Sequence, residues 1–104
     1  MINPELPADL ANDPEFLSLV EQFVSRLPGT LGEAGALLKD RRWEALTQLM
    51  HNLKGSAGGY GFPELTRQAE KIHGLLRKHE TDALPALLEE MKRYCQCISV
   101  SAEG

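Results

Sequence analysis

Residues 42–61 read RWEALTQLMHNLKGSAGGYG, and the spacing of their apolar side chains decides the fold class. Trp43, Leu46, Leu49, Met50, Leu53, Ala57 and Tyr60 recur at threes and fours, the period of an amphipathic helix. On a wheel of 100° per residue, Leu46, Leu49, Leu53, Ala57 and Tyr60 fall within about 80° of one another, so one face is buried. Ser56 and Ala57 lie toward that face, where small side chains serve packing. His51 lies nearly opposite it and is expected to face solvent, with Glu44, Thr47, Lys54, Gly55 and Gly58 around it.

The same period extends outward in both directions. Upstream, Asn12 or Asp13 is a candidate N-cap with Pro14 at the first helical position and Glu15 in the first turn. Phe16, Leu17, Leu19, Val20, Phe23, Val24 and Leu27 follow, and Leu31, Ala34, Leu37 and Leu38 continue the stripe past Pro28 to Asp40. A proline inside a helix removes a hydrogen bond, so this first helix is expected to be bent or interrupted. Downstream, Gly61, Phe62 and Pro63 punctuate the chain, and a third helix carries Leu65, Ala69, Ile72, Leu75 and Leu76 inward. After a turn at residues 79–82, with Thr81 or Asp82 as cap, a fourth helix carries Leu84, Leu87, Leu88, Met91, Tyr94, Cys95 and Ile98. Short connections make neighbouring helices antiparallel. The expectation is an all-α, antiparallel four-helix bundle forming one domain over residues 1–104, with a leader at 1–12, the bundle at 13–99 and a tail at 100–104.

Composition agrees and narrows the function. Val, Ile and Thr number ten against 27 for Leu plus Ala, a helical rather than strand bias. With 15 acidic and 11 basic side chains the net charge is −4, which argues against nucleic acid, since phosphate binding needs clustered cations. The N-terminus has neither a basic start nor an apolar core, so it is no signal peptide, and no apolar run reaches membrane-spanning length. A cytoplasmic, monomeric protein is expected, and the starting Met with uncut helical boundaries favours a stand-alone protein. Cys95 and Cys97, two residues apart, match no zinc or redox pair and read as reduced thiols.

The second helix breaks a rule where it matters. Gly55 and Gly58 stand inside it, each costing on the order of 1 kcal/mol relative to Ala. A helical side chain leans toward the N-terminus, so a residue at i+4 shades residue i. At i+4 from His51 stands Gly55 and at i+7 Gly58, leaving the imidazole open to a macromolecular partner. By the same lean Lys54 is carried back beside the ring, where it could meet an anion attached to it. Unperturbed imidazole, with pKa of about 6.5, is largely neutral at pH 7 and available as a nucleophile.

The run from His51 to Gly61, HNLKGSAGGYG, resembles the H-x-L-K-G-S-A-x-x-x-G signature of histidine-containing phosphotransfer (HPt) domains. The resemblance extends over most of the chain, from Phe16 and Phe23 through Leu27-Pro28 and "DRRWEAL" to the amphipathic pair after the signature. It implies a four-helix bundle whose exposed histidine takes a phosphoryl group from a receiver-domain aspartate and passes it to another. Carried over residue by residue, His51 would be the phosphoacceptor, Lys54 would neutralise the phosphoryl, and Gly55 would keep the approach open. Gly58, Thr47 and Gln48 would rim the receiver-docking surface, extended by outward apolar residues of the first helix. Many relatives place a Gln about 22 residues after the phosphorylated histidine; here that position is His73, a candidate hydrogen-bond partner of His51 at the edge of its helix's apolar stripe. The implied partners are response-regulator receiver domains and a hybrid sensor histidine kinase. No cofactor is expected on this chain, which offers no carboxylate cluster, phosphate cradle or Walker lysine; Mg²⁺ is expected on the receiver, and autokinase activity is not expected.

Two other readings compete. A metal site of His51, His73 and His79 lacks any recognised ligand spacing. A non-catalytic helical interaction module would need neither the exposed histidine nor its glycines.

Overall fold

The computed structural model describes residues 2–98, all of whose regular elements are helices. The expected tail at 100–104, with Ser99, lies outside the described residues. Five helices follow in order: α1 (Ala8–Ala11), α2 (Pro14–Lys39), α3 (Trp43–Gly59), α4 (Pro63–Arg77) and α5 (Leu84–Gln96). Each of the four long helices packs against two others, α2 and α4 both meeting α3 on one side and α5 on the other. The leader is thus not featureless, since it holds the single turn of α1, which packs on α2. The 42 Å long axis is set by α2, whose 26 residues reach about 39 Å at about 1.5 Å each. Among the described residues no helix is long and apolar enough to cross a membrane.

The start of α2 follows from its cap. The Asp13 carboxylate accepts from the backbone N–H of Glu15 at 3.0 Å and of Phe16 at 3.4 Å, satisfying two donors that the first turn leaves free. Asn12 instead closes α1, its side chain donating to the Ala8 carbonyl. Of the bent or interrupted helix expected at Pro28, the interruption is absent, and α2 continues through the proline to Lys39. Leu27 before the proline and Leu31 and Ala34 after it are all buried, and continuing the helix keeps that stripe facing one core. The fourth long helix also starts later than expected. Its N-cap is Ala83, with no side-chain cap, rather than Thr81 or Asp82. The Leu84 N–H donates to the Thr81 carbonyl at 3.2 Å, and Pro85 in the first turn has no N–H to satisfy.

Helices α2, α3 and α4 end alike. Past each, one residue takes positive φ: Arg41 at 56°, Gly61 at 88° and His79 at 60°. In each case the next N–H donates five residues back, from Arg42 to Leu37, Phe62 to Ala57 and Glu80 to Leu75, the Schellman arrangement. Only one of the three positions is glycine. Because a left-handed conformation costs a residue with a Cβ about 1–2 kcal/mol, partly offset by glycine's greater unfolded-state freedom, His79→Gly is expected to stabilise the fold by about 0.5–1 kcal/mol. Chemical denaturation checks this, and an unchanged or lowered midpoint refutes it.

The core comprises Val20, Leu27, Leu31 and Ala34 of α2, Leu46, Met50, Leu53 and Ala57 of α3, Leu65, Ala69, Ile72 and Leu76 of α4, and Leu84, Leu88 and Met91 of α5. Phe62, which reads as turn punctuation, belongs to it at 1% exposure. The left-handed Gly61 turns the chain so that the next side chain points back inward, the apolar contact that accompanies this cap. The segment before α1 straps the same end: the Ile2 N–H donates to the Cys97 carbonyl and the Glu5 N–H to the Gly61 carbonyl, both at 2.7 Å.

Candidate functional site

The site is built on α3. Its buried stripe is Leu46, Met50, Leu53 and Ala57, whose centre on the wheel lies about 30° from that of the sequence-derived stripe, toward His51. Met50, fully buried, displaces Leu49 and Tyr60 to partial burial. Two consequences follow. Ser56 moves out of the packed face and is exposed, correcting its expected packing role. His51 remains exposed but leans toward the seam with α4.

That seam is the most extensive helix contact in the bundle. Ala57 of α3 and Ala69 of α4, both fully buried, let the two backbones approach. Across it the rings of His51 and His73 stand 5.7 Å apart, centroid to centroid, tilted by 40°. His73 is half-buried. Its pKa is held below the ordinary imidazole value by burial first, then by the positive charges of Lys54, His51 and Arg77, with Glu70 opposing. The structure thus brings His51, Lys54 and His73 together and adds Arg77, which the sequence reading missed. The available signal was its spacing, four residues after His73 on the same face of α4.

The glycines behave differently from one another. A Cβ at Gly55 would meet nothing within 4 Å, so this side of His51 is open, whereas one at Gly58 would touch the Thr66 hydroxyl at 3.5 Å. Gly58 therefore belongs to the α3–α4 seam, beside a shallow pocket with Glu5, Gly61 and Thr66. Thr47 donates its hydroxyl to the Trp43 carbonyl at 2.7 Å, and Gln48 donates its amide to Asn52 at 3.0 Å. Both are ordered by their own helix. On the other flank of His51 a cleft of about 280 Å³ opens between α2 and α3, lined by Leu19, Phe23, Arg26, Asn52, Ser56 and Tyr60 among others. Leu19, 46% exposed, is the exposed large apolar side chain of the described residues. His79 lies beyond the end of α4. Cys97 is exposed, while Cys95 is half-buried and its thiol is pushed up to about 11 by burial, which makes it unreactive.

Residues 18–99 match the family model of the Hpt domain. The chain belongs to the Hpt family. The matched part of this Hpt domain takes in α3, α4, α5 and all but the first turn of α2. The Hpt chain is 37% identical over 87 residues, 84% of its length, to "Phosphorelay intermediate protein YPD1" of Candida albicans. It spans 46% of that relative, about half its length. No solved structure matches it significantly.

Proposed function

We propose that this chain is a phosphoryl carrier of a phosphorelay, His51 accepting the group from a receiver-domain aspartate and passing it to the aspartate of another receiver. The observation that supports this best is the exposed imidazole of His51 with open space at Gly55, grouped with His73, on which the Lys54 charge also acts. In the step, the Nε2 lone pair of His51 attacks the phosphorus of the receiver's acyl phosphate. An N–P bond forms, the P–O bond to the aspartate breaks, and the carboxylate leaves with the electron pair. The reverse step on a second receiver frees the imidazole. Lys54 offsets the phosphoryl charge, with Arg77 adding to the positive field from α4. His73 serves as hydrogen-bond partner of the His51 ring.

The rest of the chemistry belongs to the partner. Phosphoryl transfer uses a metal ion for charge neutralisation and positioning, and the receiver supplies the Mg²⁺; this chain binds no cofactor of its own and is no kinase. A receiver docks over Thr47, Gln48, Gly55 and Gly58, extended by Leu19 and the α2–α3 cleft. A small contact of that kind suits transient exchange. The donor receiver is part of a hybrid sensor kinase, the carrier works as a cytoplasmic monomer, and the four long helices run antiparallel. A purely structural interaction module would leave the open side of His51 without a purpose.

Incubation with a phosphorylated receiver tests the reading. The expected product is acid-labile, alkali-stable phosphate on the wild-type chain and none on His51→Gln. No label on wild type, or equal label on the variant, sinks it.

A further inference from the structure

The geometry points to His73 as the proton partner of the His51 ring, taking up a proton when His51 is phosphorylated and returning it when the phosphoryl group leaves. This rests on the carrier reading above and adds a proton to it. Attack through Nε2 leaves the phosphorylated ring of His51 with a hydrogen on Nδ1 and a positive charge, so that N–H becomes acidic. A second imidazole stands 5.7 Å away, centroid to centroid, and neutral imidazole has one nitrogen that accepts. No hydrogen bond joins the rings among the described residues; catalytic contacts of this kind often tighten only in the reacting complex.

The surroundings of His73 set its two states. From α3 it is faced by His51 and Lys54, on its own helix by Arg77 and Glu70, while α5 contributes none of the charges acting on it. Before phosphorylation, burial and the positive groups keep it neutral, ready to accept. A phosphoryl group on His51 brings negative charge into the same space and favours the imidazolium. The proton that leaves Nδ1 is then held on His73, paired with the phosphoryl oxygens. For transfer onward it must return, because the imidazole departs as a neutral molecule only with Nδ1 protonated. His73 is therefore a positioning residue acting through His51.

The pH dependence follows from the proton balance. The proton on His73 comes from the His51 ring, so the free and the phosphorylated pair hold the same number of protons between the depressed pKa of the free state and the raised pKa of the phosphorylated state. In that interval the pair makes exchange with a receiver insensitive to pH. Above it the phosphorylated pair holds one proton fewer, so raising the pH favours the phosphorylated carrier.

The test uses phosphoramidate, a small donor that loads histidine by releasing ammonia, and follows the His73 ring by NMR from pH 6 to 8.5. In the loaded protein the His73 midpoint is expected to rise by about one pH unit or more, the shift a nearby opposite charge produces. In parallel, the receiver–carrier equilibrium of His73→Gln, which cannot hold the Nδ1 proton, is expected to begin shifting toward the phosphorylated carrier at a lower pH than that of wild type. Loading of His51 with an unmoved His73 midpoint overturns this inference and leaves the carrier reading standing. Absence of phosphohistidine in every variant overturns both.

Discussion

Gly55→Leu is expected to fold more stably than the parent and to accept phosphoryl from a receiver about a hundredfold more slowly, the scale on which a misplacement of about 1 Å acts. The two effects have one cause. Gly55 lies inside α3, where Leu is favoured over Gly by about 0.5–1 kcal/mol, and the structure offers no steric reason for glycine, since a Cβ there would meet nothing within 4 Å. A Leu side chain at this position leans back toward the turn that carries His51. It covers the imidazole from the side by which a receiver must approach. The small donor phosphoramidate needs far less room, so its loading of Gly55→Leu should fall much less than loading from a receiver. Stopped-flow transfer rates and a denaturation curve on the same sample check the prediction. Unchanged transfer from a receiver would show that the open side of His51 is not the docking side.

Gly61→Val is expected to cost about 3 kcal/mol of stability or more, a large share of what a domain of this size has. Two independent faults coincide there. The residue has φ of +88°, a region where a β-branched side chain is strained by about 1–3 kcal/mol. Its Cβ would also lie 2.7 Å from the Glu5 carbonyl oxygen and 2.8 Å from the Leu6 side chain, so the strap must move. Moving it breaks the bond from Glu5 to Gly61 and uncovers the partly buried Leu6. Urea denaturation measures the loss. A variant within about 0.5 kcal/mol of the parent would show that the strap adds little to the closure of this end.

The helices were legible because each long one repeats its apolar residues at threes and fours, and because Asp13-Pro14 and Gly61-Phe62-Pro63 mark boundaries. What was not legible depended on tertiary packing. The continuity of α2 across Pro28 is decided by core residues on both sides of it, which local chemistry at the proline does not reveal. Phe62 reads as a turn residue until the left-handed Gly61 aims it inward. The burial of Met50 turned the face of α3 enough to expose Ser56 and to bring His51 to the α4 seam. The HNLKGSAGGYG run sufficed to single out His51, Lys54 and Gly55, but the juxtaposition of His73 and Arg77 with them needed the register between α3 and α4. No local pattern specifies that register.

The strap at the N-terminal side has a topological consequence. Ile2 pairs with Ile98 in an isolated parallel bridge, and the same segment touches the α3–α4 turn at Gly61. Residues 2 and 98 therefore sit together at one pole of the bundle, and Gly59, the last residue of α3 at that pole, is eight residues from His51, about 12 Å along the helix axis. The pole that holds residues 2 and 98 is thereby set apart from the imidazole, and a disturbance of the strap reaches His51 only through the intervening turns of α3.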